Sequence, residues 1–347
     1  MNRHFDSALN DYLDAYVQEK GNTGMLRITL KDEVIFEKNM GYADREEKRP
    51  FTRESMFTLY SLSKPFSAIG LMKLKEQGKV DIDCHPGKYV KEARGFHPAV
   101  TMRQILQHIG GLPDFVQSAG FPERYQTGHP HEMRRHMEEL AAFPPMFAPG
   151  TGSRYANVNF ILCALMIENI SGMPYEEYMQ KEVFAPLSMP HARVDAPGLF
   201  VPNRVTGYEK KADEIRPVSA LCNWMMGAGD IVGTVDDIYC LNKAIKHHLL
   251  LKEETWKEIL TPSPVNQFGL GCSVFTWHGM ERIQHNGGSQ GFRTLHIQLP
   301  ADDLDIIYLS NASWGDARND FAEAIYRAIY EKNAPEGEKI QMDAGYI

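Results

Sequence analysis

The sequence predicts an α+β fold in which the two ends of the chain form one antiparallel sheet and the middle forms an inserted helical region. Two observations predict this arrangement. Near both ends, hydrophobic residues alternate with polar ones, which is typical of strands with one buried face. Between the ends, from about residue 58 to residue 260, the hydrophobic spacing changes to that of helices. Strands separated by a helical insertion can share one sheet only if the two ends meet.

The elements follow one another in a consistent order. An amphipathic helix occupies residues 1–20, and a β-hairpin follows between Leu26 and Phe36. A helix at 58–75 ends near Gly78. Further helices are predicted at 101–108, 131–142, 157–170, 175–184, 235–250 and 253–260. Strands are predicted at 268–276, 282–285, 295–299 and 304–309, followed by a closing helix around Phe321, Ile325 and Ile329.

Composition and charge exclude several classes of protein. The 347 residues carry a formal net charge of -8, so the basic surplus needed to bind nucleic acid is missing. The sequence has no apolar run long enough to cross a bilayer, and its first 20 residues do not resemble a secretory signal. The five cysteines are scattered, as is typical of free thiols in a reducing compartment. We therefore expect a cytoplasmic protein, although an extracytoplasmic one trimmed of its signal would look the same.

The segment Ser61-Leu62-Ser63-Lys64 places a hydroxyl and an ammonium three residues apart at the start of a helical pattern. Three residues are nearly one helical turn, so both side chains lie on one face and can touch. A serine becomes a nucleophile when a neighbouring group takes its proton. A lysine at the positive end of a helix, partly removed from water, loses proton affinity. Ser61 is therefore a candidate nucleophile and Lys64 a candidate base or tuner of the base, although this spacing also occurs by chance in many helices.

Three other motifs have simpler structural explanations. Residues 287–291 match the G-x-S-x-G nucleophile elbow, but a strand and not a helix is predicted to follow them. His131 and His136 are one position too far apart for the zinc motif H-E-x-x-H, so they point in different directions on a helix. Residues 227–233 only approximate G-x-G-x-x-G and lack its βαβ context. None of the three predicts a second site.

Two later segments carry groups suited to catalysis. Tyr155 and Asn157 follow a glycine-containing loop, where a phenol with a pKa lowered by neighbouring cations could transfer a proton. The alternative is a packed tyrosine followed by a helix cap. His285 ends a strand and could exchange a proton near neutral pH. Gly287 and Gly288 follow it, and they could let a substrate approach a backbone N–H, unless they simply form a turn.

The order S-x-x-K, Y-x-N, H-x-G resembles the class C-like branch of the serine β-lactamase and penicillin-binding-protein superfamily. That branch includes class C β-lactamases, D,D-peptidases, D-aminopeptidases and related esterases. Flanking segments are similar to family motifs: LQHIGGLPD at 106–114 to L-x-H-x-S-G-L-P-D, PGT at 149–151 to the start of P-G-x-x-F-x-Y-S-N, and PLSM at 186–189 to P-L-G-M. The resemblance extends from about residue 22 to about residue 309.

The resemblance implies a β-lactamase/transpeptidase-like fold with a five-stranded antiparallel sheet, flanking terminal helices and an inserted all-α region. It implies one catalytic domain over residues 1–347. Residues of about 1–60 and 262–347 would form its α/β part, and residues of about 61–261 its mostly helical part. The resemblance implies no metal and no organic cofactor. The expected partner is a small-molecule or peptide substrate, and the oligomeric state stays open.

The resemblance also implies roles for the candidate residues. Ser61 would be the nucleophile that becomes acylated, and Lys64 would tune Ser61 and Tyr155 electrostatically. Tyr155 would be the general base of acylation and the proton donor to the leaving group. Asn157 would hydrogen-bond the substrate amide or the Lys64 ammonium, and His285 would stand where the family has the lysine of K-T-G.

Gly287 and Gly288 would complete the strand side of the site. Gly287 corresponds to the glycine of K-T-G. The backbone N–H groups of Ser61 and Gly288 would form the oxyanion hole, in which one donor is typically worth a few kcal/mol of the barrier.

The histidine at position 285 is the main departure from the family pattern. The family's lysine helps to bind the carboxylate of β-lactams and D-alanyl peptides, whereas a histidine is charged only part of the time at neutral pH. We therefore expect a serine hydrolase of the esterase, amidase or D-peptidase type. The alternatives are a true β-lactamase or D,D-carboxypeptidase, and a non-catalytic penicillin-binding or regulatory homologue. Specificity is expected to come from loops at 114–128 and 223–229, with Trp224, Met225 and Met226 lining a pocket or packing in the core.

Overall fold

A computed structural model describes residues 3–21, 23–114, 130–196, 199–218, 225–315 and 318–330. Its strands are β1 Gly24–Leu30, β2 Glu33–Met40, β3 Phe57–Thr58, β4 Arg193–Val194, β5 Gly207–Lys211, β6 Glu214–Val218, β7 Ile231–Gly233, β8 Ser273–Trp277, β9 Met280–Ser289, β10 Phe292–Leu299 and β11 Leu304–Ser310. Its α-helices are α1 Arg3–Lys20, α2 Lys64–Glu76, α3 Met102–Leu106, α4 Pro130–Ala141, α5 Val158–Ser171, α6 Tyr175–Met179, α7 Val235–His247, α8 Glu253–Leu260 and α9 Arg318–Tyr330.

The main sheet joins the two ends of the chain, as the alternating patterns predict. Its order is β2-β1-β11-β10-β9-β8, and all of its pairs are antiparallel. The ends meet where β1 lies beside β11, with Gly24 opposite Ser310. The sheet has six strands where the family resemblance implied five, because β8 pairs with β9 and places Ser273 opposite Gln284. The sixth strand, Ser273–Trp277, overlaps the second half of the strand predicted at residues 268–276, so the periodicity was the better guide.

The sheet is covered on both faces, and alternation along β10 shows how. Leu295 and Ile297 belong to the hydrophobic cluster that contains Leu13 of α1 and Phe321 of α9. The intervening residue His296 is also fully buried, and its side chain meets α7 through a 3.0 Å contact between its Nδ1 and Asn242 Oδ1. The terminal helices therefore cover one face, and α7 covers part of the other. The proposed division into an α/β part and a helical part within one domain stays a prediction.

The segment that carries Ser61 differs from the single helix predicted at 58–75. The chain first forms β3, which pairs with β7, then a 3-10 turn at Tyr60–Ser63, and only then α2. Pro65 in the first turn of α2 suits a helix start, because its missing N–H would have no intrahelical partner there. Behind α2 lies α5, which is buried from Val158 to Ile167, as its almost uninterrupted apolar sequence predicts. The Ser61 turn is thus fixed between a strand and a buried helix pair.

Two of the sequence-based predictions concern parts of the protein that the structure does not describe. The first concerns the side chains of His131 and Glu132, and the second concerns the specificity loops apart from Asp114 and residues 225–229. Among the described residues, three or more histidine, cysteine, aspartate or glutamate side chains are nowhere grouped to hold a metal ion. No single described helix is long and apolar enough to cross a membrane. The helices Val158–Ser171 and Tyr175–Phe184 meet the criteria of length and composition only as a pair, bent by 82°.

Candidate active site

Ser61 and Lys64 lie in direct contact at the start of α2. Lys64 Nζ is 3.0 Å from Ser61 Oγ, as the three-residue spacing predicts. Ser61 lies on the 3-10 turn and Lys64 is the first residue of the helix. The hydroxyl and the amine therefore face each other at a hydrogen-bonding distance, which is the geometry that proton transfer requires.

The Lys64 amine is completely enclosed. The residue has no exposed surface, and its Nζ donates to Asn157 Oδ1 at 2.9 Å and to the Ala228 carbonyl at 2.7 Å. Burial lowers the pKa of Lys64 well below its ordinary value, while the negative charge of Asp114 and that of an ionised Asp230 act in the opposite direction. Because burial is the largest of these effects, Lys64 is suited to be a neutral amine that can accept a proton.

Tyr155 lies beside this pair, but its proton affinity differs from the expectation. Its ring centroid is 4.7 Å from Lys64 Nζ and 4.4 Å from the ring of His108. Burial raises the pKa of Tyr155, and this outweighs the lowering by a hydrogen bond with Ser61. The expected lowering by neighbouring cations is therefore wrong. The residue as a whole is 37% exposed, which is compatible with this result because the pKa responds to the surroundings of the hydroxyl group alone.

Asn157 is oriented by Lys64 and not by the helix that it precedes. It occupies the N-cap position of α5, yet its side chain makes no capping hydrogen bond. Its Oδ1 instead accepts the 2.9 Å hydrogen bond from Lys64 Nζ. Of the two partners expected for this amide, the structure places the Lys64 amine against it.

His285 lies at the edge of the same site, but it is buried and neutral. The residue is 4% exposed, and its ring centroid is 6.4 Å from that of Tyr155. Burial is the largest of the effects that lower the pKa of His285 to about 3. The expected partial charge at neutral pH is therefore wrong. Its Nδ1 lies 2.6 Å from the Asn286 carbonyl, so Nδ1 carries the proton and Nε2 is an acceptor.

Gly287 and Gly288 differ in how much space surrounds them. A Cβ atom at Gly287 would lie 2.0 Å from the Leu59 carbonyl and 2.4 Å from Thr294 Oγ1. The three atoms nearest to a Cβ atom at Gly288 belong to the side chain of Arg293, the closest at 2.9 Å. Glycine at 287 therefore lets β9 approach the turn that carries Ser61. Close packing therefore requires glycine at this position, whereas the sequence alone predicted an open strand edge there.

Several contributing groups were not singled out as functional in the sequence. Phe268 lies between His108 and His285, with ring centroids 5.0 Å and 6.4 Å away. His108 lies in a family-like segment of the sequence. Its separation from Tyr155 along the chain does not predict that the two rings stack. The loop of residues 227–233, set aside as a nucleotide motif, supplies the Ala228 carbonyl to Lys64. Ser289 ends β9 and is followed by β10, so the nucleophile-elbow match is coincidental, as expected.

Comparison with known proteins identifies the family. The model of the family described as Beta-lactamase matches residues 9–329. The chain belongs to the β-lactamase family. The family resemblance of the sequence is thereby confirmed, and so is the mixed α/β fold with an antiparallel sheet.

Relatives within the β-lactamase family differ in the reactions that their names describe. Penicillin-binding protein 4* of Bacillus subtilis is 26% identical over 320 residues, which cover 85% of this chain and 69% of that protein. Esterase EstB of Burkholderia gladioli is 26% identical over 194 residues, which cover 52% of this chain and 49% of the esterase. The structure of D-amino acid amidase from Ochrobactrum anthropi matches with a TM-score of 0.81 at 23% identity, covering 94% of this chain and 99% of the amidase.

Proposed function

We propose that this protein is a serine hydrolase that cleaves ester or amide bonds, including D-peptide bonds, through an acyl-enzyme on Ser61. The observation that carries the proposal is the Ser61–Lys64 contact. A hydroxyl lies 3.0 Å from a fully buried amine whose pKa is held well below its ordinary value. Membership of a family that contains esterases and amidases supports the same class of reaction. A cytoplasmic location stays part of the proposal.

In the proposed first step, Ser61 Oγ attacks the substrate carbonyl carbon while its proton passes to Lys64 Nζ. We assign the base to Lys64 and not to Tyr155, because burial makes the amine easy to keep unprotonated and the phenol hard to ionise. Asn157 Oδ1 and the Ala228 carbonyl hold the resulting ammonium. Two fixed acceptors also prevent the amine from rotating away from Ser61.

In the proposed second step, the leaving group takes a proton and departs. Tyr155 is suited to this step, because a phenol that stays protonated can donate to an amine or alkoxide. The negative charge on the carbonyl oxygen would be stabilised by the backbone N–H groups of Ser61 and Gly288. The proton held by Lys64 then restores the Tyr155 phenol, which leaves a neutral amine. Water attacks the acyl carbon and gives a proton to Lys64 Nζ, and Lys64 returns that proton to Ser61 Oγ as the ester bond breaks.

The strand side of the site favours substrates without a carboxylate at the position that K-T-G would bind. A lysine there would carry a positive charge, whereas His285 is neutral and 4% exposed. This observation ranks ester and amide hydrolysis above a true β-lactamase or D,D-carboxypeptidase activity. A non-catalytic role ranks last, because Ser61, Lys64 and Tyr155 are all present and in contact.

Intact-protein mass spectrometry tests the proposal. The protein is exposed briefly to p-nitrophenyl acetate and, separately, to a penicillin, with Ser61→Ala and Ser289→Ala variants alongside. We expect ester turnover that Ser61→Ala abolishes and Ser289→Ala retains, with little or no penicilloyl adduct. A stable penicilloyl adduct on Ser61 would favour the penicillin-binding alternatives. Turnover that survives in Ser61→Ala would contradict the mechanism.

A further inference from the structure

A buried carboxyl group that the proposed reaction does not use lies behind Lys64. Asp230 is 1% exposed and precedes β7. Its Oδ1 accepts the backbone N–H of Gly227 at 3.0 Å, and once ionised its charge raises the pKa of Lys64. Carboxylates are rarely buried without a function or a paired cation, so this position calls for an explanation.

Asp230 closes the turn that delivers a carbonyl to Lys64. The Asp230 side chain fixes the N–H of Gly227, and the next residue, Ala228, directs its carbonyl at Lys64 Nζ from 2.7 Å. Gly227 has a φ of +71°, and a Cβ atom there would lie 2.6 Å from the Phe160 carbonyl. The turn therefore has one tight conformation, and the carboxyl group holds it there.

The same turn is anchored to α2 by a second contact. Ser67 donates to the Gly227 carbonyl at 2.6 Å, and its hydroxyl also lies 2.7 Å from the Tyr175 hydroxyl. Ser67 lies one helical turn after Lys64 on α2. The carboxyl, the turn and the lysine thus form one connected unit in which a change at Asp230 reaches Lys64 through the Ala228 carbonyl.

We propose that Asp230 is a positioning residue for Lys64: its carboxyl group holds the turn against the amine and, once ionised, stabilises the positive charge that Lys64 acquires from Ser61. The inference rests on the proposed function, because it requires Lys64 to be the base. It adds a residue that touches neither the substrate nor Ser61. Its effect reaches the reaction only through Lys64.

The charged and titratable groups around Asp230 give the proposal its pH dependence. Burial, together with the charges of Asp195 and Glu176, raises the pKa of Asp230 to about 8, against the hydrogen bond from Gly227. Burial, followed by the charge of Asp230, raises the pKa of the Tyr175 phenol well above its ordinary value. Near neutral pH Asp230 is thus mostly protonated, and it ionises as the pH rises through about 8.

The charge of Asp230 determines how a change in pH alters the reactivity of Lys64. Below about pH 8 the carboxyl is neutral and exerts no charge on Lys64. Above it, the negative charge of Asp230 raises the proton affinity of Lys64, which makes the amine a stronger base toward Ser61. The rate of acylation should therefore rise with pH through the ionisation of Asp230.

The test compares pH profiles of kcat/KM for p-nitrophenyl acetate in the wild type, Asp230→Asn and Asp230→Ala. Asparagine keeps the oxygen that accepts from Gly227 but cannot ionise. We expect Asp230→Asn to match the wild type near neutral pH and to lose an alkaline rise of up to about tenfold, the change that one pKa unit represents. Asp230→Ala also releases the turn, so its kcat should fall by about tenfold at every pH.

Two further variants separate the effect of the Asp230 charge on Lys64 from its effect on the position of the turn. Asp114→Asn removes the other carboxylate that acts on Lys64 but leaves the turn intact, so it should change the pH profile without the loss of kcat seen in Asp230→Ala. Asp11→Asn, on the exposed side of α1, is the matched control and should change neither. An unchanged alkaline rise in Asp230→Asn would overturn the charge role. Equal kcat in Asp230→Asn and Asp230→Ala would overturn the positioning role.

If the variants do not fold, an infrared measurement on the wild type tests whether Asp230 is protonated at neutral pH. A protonated carboxyl gives an infrared C=O band, and the band of Asp230 should persist at neutral pH and vanish above about pH 8. Asp305, with a pKa raised to about 6, ionises earlier. Absence of the band at neutral pH would overturn the inference. Failure of the proposed function is distinguishable, because then Ser61→Ala itself would retain activity.

Discussion

The two sides of the candidate site are built differently. On the helix side, Lys64 is held by three hydrogen bonds, to Ser61, Asn157 and the Ala228 carbonyl. On the strand side, His285 is folded back onto the Asn286 carbonyl, and its buried Nε2 has no hydrogen-bond partner among the residues that the structure describes. The helix side carries the group that changes charge in the proposed reaction, whereas the His285 ring on the strand side stays neutral.

This difference indicates that the helix side carries out the proton transfer, whereas the strand side contributes to the choice of substrate. The helix side is connected so tightly that loss of one group leaves others buried and unpaired, which makes substitutions there costly. The strand side shapes the space beside Ser61 through close packing at Gly287 and the neutral ring of His285. We therefore expect substitutions on the helix side to affect kcat most, and substitutions on the strand side to affect stability and substrate choice.

The largest effect is expected from Lys64→Met, which removes the base and keeps an apolar side chain of similar length. General acid–base groups typically contribute about 10²- to 10⁴-fold, so kcat for p-nitrophenyl acetate should fall by that range. Lys73→Met on the same helix is the matched control, because Lys73 pairs with Glu182 and not with Ser61. Similar losses in both variants, or a folded Lys64→Met enzyme with wild-type kcat, would contradict the role of the amine.

Tyr155→Phe should give the next largest effect, and its size should depend on the leaving group. An amide leaving group needs a proton, whereas p-nitrophenolate leaves readily without one. We expect kcat for a D-amino acid amide to fall by about 10²-fold or more, and kcat for the p-nitrophenyl ester to fall much less. Equal losses on both substrates would argue that Tyr155 acts before the leaving group departs, as a base.

Gly287→Ala is expected to act through packing. The new methyl group would lie 2.0 Å from the Leu59 carbonyl, so β9 or the Ser61 turn must move. Overpacking of this kind typically costs about 1–3 kcal/mol of unfolding free energy. Gly288→Ala is the matched control, because the atoms nearest to its methyl group belong to the Arg293 side chain and not to the backbone. Denaturant unfolding of both variants would contradict the packing argument if Gly288→Ala proved the less stable.

The smallest effect, and the most informative about substrates, is expected from His285→Lys. Because the pKa of His285 is about 3, the wild type should show no change in activity from this group near neutral pH. Lysine would add a positive charge, which should raise KM for an uncharged ester by a few-fold and increase acylation by a penicillin. Unchanged penicillin reactivity, together with improved ester turnover, would show that position 285 does not control carboxylate recognition.

Local patterns in the sequence predicted the parts of the site that depend on spacing. The contact between Ser61 and Lys64 follows from i, i+3 geometry, and the sixth strand follows from alternation in residues 268–276. Proton affinities could not be predicted in this way. The pKa values of Tyr155 and His285 depend on how deeply distant segments bury them. Asp230 was invisible for the same reason, because it meets Lys64 only after β7 packs beside β3.

The central claim is that Lys64 is an unprotonated amine before Ser61 attacks. The most direct test is the pH dependence of wild-type kcat/KM for p-nitrophenyl acetate. We expect a rate that reaches its plateau well below pH 10.5, the ordinary pKa of a lysine. A rate that keeps rising to pH 10.5 and beyond would show that Lys64 or Tyr155 must first lose a proton at its ordinary affinity, and it would contradict the account.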